Sequence, residues 1–336
     1  MYFWISLPFL WLSFFCPSGP SGPPQPSDGP GGAAYVHDGV RFSDQAGTAE
    51  GYWLFEPESP SPDSAPVVVF LHGYGAINPM IYGGWVSHIV RQGNIVIYPR
   101  YQQSLLSPGS EAFAGNAAKG ILDALAELGE GSHVRPQQGP LVLVGHSYGG
   151  AIAANLGVRF TELGIPQPKG LLLCAPGTGP LKGGRLDSYE DMPADTRLLI
   201  MVSVDDQVVG DELGRLIFET AVHTPHRNLL RQFPDEHGEP AVTAGHNECY
   251  ALDARFDADI HNLSYYRALR IAKNDALDYY GYWKLLDALL SCVRSDEYCD
   301  TAFGDTPAQR SLGQWSDGEP VKGLEVLLPA EDTTVR

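Results

Sequence analysis

The chain has 336 residues, 43% of them hydrophobic and 18% charged, which is enough for one large domain or two small ones with a real core. Set against 40 acidic residues, 22 basic ones leave a formal charge of −18, which repels phosphate backbones and anionic lipid heads and argues against nucleic-acid binding. The 38 Gly and 27 Pro imply many tight turns, yet no Gly-x-y period runs through them, so a collagen-like fold is excluded.

Residues 1–16, MYFWISLPFLWLSFFC, form an apolar run too short for a comfortable bilayer span and long enough for the core of an export signal. The basic start usual in such signals is missing, since the first Lys or Arg is Arg41. Cys16 is a weaker candidate for a lipid acceptor, because such sites favour a small residue before the Cys and Leu three before it, where Phe15 and Ser13 stand. Residues 17–34 are rich in Pro and Gly and read as a flexible linker. The folded domain is expected over 35–336.

Within it, stretches near Tyr35–Phe42 and Gly51–Phe55 suit an opening antiparallel hairpin. Apolar runs follow at Val67–Leu71, Ile95–Tyr98, Leu141–Val144, Leu171–Cys174, Leu198–Val204 and Asn228–Gln232. Most are continuous rather than alternating, as strands buried on both faces require, and helical stretches separate them: Pro79–Gln92, Glu111–Leu128, Ser147–Leu163 and Asp211–Val222. In the second of these, Phe113, Ala117, Ile121, Leu125 and Leu128 share one face. Tyr279, Trp283, Leu286, Leu290 and Val293 repeat that spacing and predict a last helix packed on the sheet. The segment 299–336 is polar and turn-rich and reads as an extension. The expected fold class is α/β, with a mostly parallel central sheet between two helix layers.

Cys292 and Cys299 close a short loop after that last helix and would pair in an oxidising compartment. Cys174 sits in an apolar strand as a core residue, and the pairing of Cys249 is open.

Chemistry concentrates in LVLVGHSYGG, where the strand Leu141–Val144 runs into Gly145-His146-Ser147-Tyr148-Gly149 and then into the small, helix-compatible residues 151–154. The five-residue pattern alone is a weak signal. Its strand-turn-helix setting is what marks Ser147 as a nucleophile, because such a turn projects the hydroxyl above the sheet while the flanking glycines leave room for the backbones. A serine hydroxyl needs a base, and the base an orienting carboxylate. The acid is expected just past a later strand, where Asp205 and Asp206 compete after Leu198–Val204; for the base, His237 in PDEHGEP competes with His246 in TAGHNECY.

These motifs resemble the α/β-hydrolase superfamily over roughly Val67–Val293, and the HGYG loop together with the GHSYGG elbow is most similar to its chlorophyllase, dienelactone-hydrolase and cutinase-like polyester-hydrolase neighbourhood. The resemblance implies the α/β-hydrolase fold, with Asp206 as the acid, since Asp206 and Val209 fit an Asp-x-x-Val stretch, and with His246 as the base in a Gly-His turn. It also implies an oxyanion hole built from the backbone N–H groups of Tyr74, in His72-Gly73-Tyr74-Gly75, and of Tyr148. His72 and His146 are then structural supports. Polyester hydrolases usually carry Trp before and Met after the nucleophile, where His146 and Tyr148 stand here, which speaks against polyester cleavage.

The reading is a secreted serine esterase working through an acyl-enzyme on short to medium acyl or aromatic esters. No metal-ligand pattern, phosphate loop or dinucleotide fingerprint occurs, so no cofactor is expected. The expected partner is a small-molecule or polymeric ester, with no nucleic acid and no membrane span in the mature chain. Alternatives are a serine peptidase, an acyltransferase, a polyester or cutin hydrolase, or a silent binding protein of the same fold. Tyr74, Tyr82, Trp85, Tyr148, Tyr250, Phe256, Tyr265 and Tyr266 are the aromatic candidates for the cleft rim.

Overall fold

The computed structural model describes residues 19–106, 109–179 and 183–329; the expected export signal at 1–16 and Cys16 lie outside the described residues. The strands are β1 (Gly39–Asp44), β2 (Tyr52–Glu58), β3 (Ser64–Ala65), β4 (Val67–Leu71), β5 (Ile95–Pro99), β6 (Arg135–Pro136), β7 (Leu141–His146), β8 (Pro168–Cys174), β9 (Arg197–Ser203), β10 (Arg227–Gln232) and β11 (Glu325–Leu327). Nine of them form one sheet in the order β1-β2-β5-β4-β7-β8-β9-β10-β11, and β3 pairs with β6 apart from it. From β5 to β10 all neighbours are parallel, whereas β1 and β2 at one edge and β11 at the other run antiparallel. The expected hairpin is present as β1 and β2, with Phe42 opposite Phe55.

The continuous apolar runs divide with the two-residue period of a strand. Val67, Val69 and Leu71 of β4 face one core together with Leu141, Leu143, Leu171 and Leu173, while Val68 and Phe70 face the other with Val142, Val144 and Leu172. The first core is covered by α2 (Phe113–Leu128), α3 (Tyr148–Leu163) and α4 (Glu212–Thr220). The second is covered by α1 (Gly83–Arg91) and by α6 (Lys284–Ser295), which a π-helical turn at Leu277–Trp283 introduces. The helix α5 (Leu263–Ile271), absent from the sequence reading, sits beside the carboxyl ends of the strands.

The C-terminal region is more than an extension. After α6 come the short helices α7 (Cys299–Ala302) and α8 (Pro307–Arg310) and then β11, which completes the sheet, and Leu312, Trp315, Val321 and Leu324 are buried in the core. Lys284 holds this region in place by donating from Nζ to the carbonyls of Ala308, Gln309 and Ser311 at 2.8, 3.1 and 2.7 Å. Cys292 and Cys299 form a disulfide between α6 and α7, and Cys174 and Cys249 are free and buried.

Residues 19–34, expected as a linker, lie along the domain surface. The Gly31 N–H donates to Asp287 at 2.7 Å, the Glu239 N–H to the Pro20 carbonyl, and the Tyr280 hydroxyl to the Pro24 carbonyl. Among the described residues no helix is long and apolar enough to cross a membrane.

Candidate active site

The site lies at the carboxyl end of the parallel sheet, where loops after β4, β7, β9 and β10 meet. Ser147 stands between β7 and α3 with φ 55° and ψ −120°, a left-sided conformation that non-glycine residues seldom adopt. The turn is tight enough to explain its glycines: a Cβ on Gly145 would strike the backbone of Gly149, and one on Gly149 would strike the carbonyls of Leu71 and His72. The strained residue is tied on both sides, its N–H donating to the Cys174 carbonyl at 2.9 Å and its carbonyl accepting from Gly177 at 3.1 Å.

Ser147 Oγ lies 2.9 Å from His246 Nε2, and His246 Nδ1 lies 2.7 Å from Asp206 Oδ2. The other carboxylate oxygen, Oδ1, accepts from the N–H groups of Val208 and Val209 at 2.8 and 3.0 Å. Burial alone would raise the Asp206 pKa, but His246 and the two N–H donors outweigh it and hold the carboxyl below its ordinary value. Asp206 is therefore an anion that fixes His246 with Nδ1 protonated, leaving Nε2 to accept from the serine hydroxyl. Asp205 points to solvent, and His237 is at the surface, paired with Asp317 at 2.8 Å, so neither joins this chain.

A second chain of hydrogen bonds braces the first. The Gly73 N–H donates to the Tyr82 hydroxyl at 2.9 Å, which leaves that hydroxyl to donate to His146 Nδ1 at 2.8 Å, and His146 Nε2–H donates to the His246 carbonyl at 2.9 Å. Burial, with the neighbouring His246, pushes the His146 pKa down to about 3, so the ring is neutral, as this donor pattern requires. His72, expected as a loop buttress, is fully buried, with ring nitrogens 2.7 and 2.8 Å from the Gly73 and Arg100 carbonyls and Tyr101 stacked on it.

In the loop after β4, the Gly75 N–H donates to Gln102 Oε1 at 2.8 Å and the Gly73 N–H is taken by Tyr82. The Tyr74 N–H between them and the Tyr148 N–H at the start of α3 have no acceptor among the described residues. Both residues line the same cleft as Ser147, a cavity of about 390 Å³ also bordered by Val208, Val209, Tyr250 and Arg267. Of the eight aromatic rim candidates, Tyr74, Tyr148 and Tyr250 line the cleft, whereas Tyr82, Trp85 and Phe256 are core residues.

The arrangement can deprotonate a hydroxyl through an imidazole and offers two main-chain donors where negative charge would develop on an attacked carbonyl. Sequence reasoning took Tyr82 for a rim residue rather than a brace of the β4 loop, and it missed Gln102, which also holds that loop, and Arg267 at the cleft; each comes from a segment with no motif of its own.

Residues 45–188 match the family model described as Chlorophyllase. The match takes in the Tyr74 loop and the Ser147 turn and stops short of Asp206 and His246. No curated protein matches the chain.

Proposed function

We propose that this chain, which has the α/β-hydrolase sheet and matches the Chlorophyllase family model over residues 45–188, is a serine esterase that cleaves carboxylic esters through an acyl-enzyme. The observation that carries this reading is the continuous chain from Ser147 Oγ through His246 to Asp206, at 2.9 and 2.7 Å. The Ser147 oxygen attacks the ester carbonyl as its proton passes to His246 Nε2. The carbonyl oxygen becomes an oxyanion that accepts from the Tyr74 and Tyr148 N–H groups. Collapse breaks the ester C–O bond, and the departing alkoxide takes the proton from His246 and leaves as the alcohol. Water then adds to the acyl-serine with His246 again as base, releasing the acid and restoring the serine.

The apolar start of the chain and the Cys292–Cys299 disulfide favour export to an oxidising compartment. Sequencing the N-terminus of the protein recovered outside expressing cells tests this.

The test of the chemistry is covalent labelling by a fluorophosphonate together with turnover of a 4-nitrophenyl ester. Stoichiometric labelling on Ser147, with label and turnover both lost in Ser147→Ala while the fold persists, is the expected result. Turnover in that variant above about a hundredth of the parent overturns the reading, because loss of a triad nucleophile costs several orders of magnitude.

A further inference from the structure

The chain is acidic overall, yet among the described residues no Asp or Glu borders the cleft at Ser147, and Arg267 is the Lys or Arg that does. Arg267 has no carboxylate partner among the described residues, although carboxylates are in excess and Arg41, Arg159, Arg185 and Arg215 each hold one. Glu248, two residues after His246, is held by the Thr243 hydroxyl at 2.9 Å and the Gly245 N–H at 2.7 Å.

The setting of Arg267 is fixed by α5. Asn262 caps this helix by accepting from the Tyr265 N–H at 3.1 Å, and its amide donates to the Gly75 carbonyl at 2.7 Å, which ties α5 to the loop that carries the Tyr74 N–H. Ala268 is buried beneath the helix, so Ser264 and Arg267, three positions apart, share the face toward the cleft. Asn247 and Tyr250, just after His246, border the same cavity. Burial raises the Tyr250 phenol, and Arg267 is the cation that opposes the rise.

We infer that Arg267, with Ser264 and Asn247 beside it, forms an anion subsite, and that the esters this enzyme takes carry a carboxylate at the end of the group held there. This rests on the esterase reading and narrows its substrate class. A guanidinium presents a planar pair of donors that matches a carboxylate, and the hydroxyl and amide beside it supply further donors. Among the described lining residues Arg267 is the cation and none is an acid, so an anionic group entering beside it meets a complementary charge.

The experiment compares kcat/KM for two esters of matched length, mono-4-nitrophenyl adipate and 4-nitrophenyl heptanoate, in the full chain. Wild type is expected to favour the adipate half-ester, Arg267→Gln to lower the adipate-to-heptanoate ratio by about fivefold, the reach of one partly exposed ion pair, and Arg267→Lys to recover part of it. Arg270→Gln removes an equal charge from the same helix outside the cleft and is expected to keep the wild-type ratio. Fluorophosphonate labelling of each variant checks that the Ser147 site is intact. A ratio unchanged in Arg267→Gln, or lowered equally in Arg270→Gln, overturns the subsite while leaving the esterase reading in place. Failure of wild type to turn over either ester overturns the esterase reading itself.

Discussion

His146 donates from Nε2 to the main-chain carbonyl of His246, so the residue beside the proposed nucleophile holds the loop that carries the proposed base. Because Tyr82 bridges His146 to the Gly73 N–H, the same chain reaches the loop with the Tyr74 donor. Tyr82→Phe removes the bridging hydroxyl and leaves a buried N–H and a buried ring nitrogen without partners, each loss worth about 1–3 kcal/mol. The expected outcome is a fall in kcat of about tenfold with little change in KM. Inactivation by a fluorophosphonate separates positioning from general loosening: its limiting rate should fall in proportion to kcat at temperatures where the variant is fully folded. A limiting rate within twofold of the parent rules out the positioning role.

The two histidines considered as base occupy different worlds. His246 is buried against Asp206, and His237 is exposed against Asp317. His246→Ala should lower kcat/KM by more than about a thousandfold, as loss of a triad member does, and His237→Ala should leave it within about twofold, because an exposed ion pair contributes at most about 1 kcal/mol. Steady-state kinetics on a 4-nitrophenyl ester decide it, and the reverse pattern transfers the role to His237.

Glu56 is a buried carboxylate on β2, and its partners predict a pH-dependent stability. Burial would raise its pKa, but Arg41 at 3.0 and 2.5 Å, His133 at 2.9 Å and the Val134 N–H at 2.7 Å together hold it below the ordinary value. A carboxyl with a depressed folded-state pKa stabilises the fold at pH above its unfolded value, about 4.3 for Glu, and that contribution disappears as pH falls through the folded value. Glu56→Gln should therefore cost about 2 kcal/mol at pH 7, with the gap to the parent closing toward pH 3. Urea unfolding at both pH values measures it; an equal gap at each would mean the charge is not the stabilising feature.

Much of this was legible in the residues because strands buried on both faces must be apolar throughout. All six parallel strands appear where the apolar runs lie, most of them extended by one to three residues at an end. Ser147 was readable because its turn needs Gly at 145 and 149 for steric reasons that any such turn shares. The braces were not readable. Tyr82 lies 64 residues before His146, and nothing local distinguishes it from a core tyrosine. Nor was α5 readable: Leu263, Tyr266 and Leu269 are exposed on it, so its apolar residues do not mark a single buried face. The C-terminal region looked polar because its few apolar residues, Leu312, Trp315, Val321 and Leu324, are spread through turns rather than set in a periodic element.

The Cys292–Cys299 disulfide closes a loop with a sequence separation of 7. Loop-closure entropy for so short a ring gives about 2 kcal/mol of stabilisation. Replacing both cysteines by Ser should lower the urea midpoint accordingly and leave kcat/KM unchanged, since the bond joins α6 to α7 away from the cleft. An unchanged midpoint would show that Lys284 and the buried residues 312–324 hold the C-terminal region by themselves.

The size of the cleft bears on the acyl chain. It encloses about 390 Å³ and is bordered by Tyr74, Tyr148, Val208, Val209 and Tyr250, so a chain entering it meets apolar walls over a short distance before reaching the opening. Each methylene that is buried contributes up to about 0.8 kcal/mol, roughly fourfold in kcat/KM, and each one left outside contributes little. In a series of 4-nitrophenyl esters of unbranched acids, kcat/KM should rise by a few-fold per carbon from acetate and then level off or fall at medium length. Arg267 at the border of the same cavity sharpens the expectation, because a chain that ends in methyl must place apolar surface beside a guanidinium. A steady rise through chains of sixteen carbons, with a jump in rate when the ester passes its solubility limit, would identify a long acyl groove and interfacial activation, and would sink both the short-chain preference and its physical basis in this cavity.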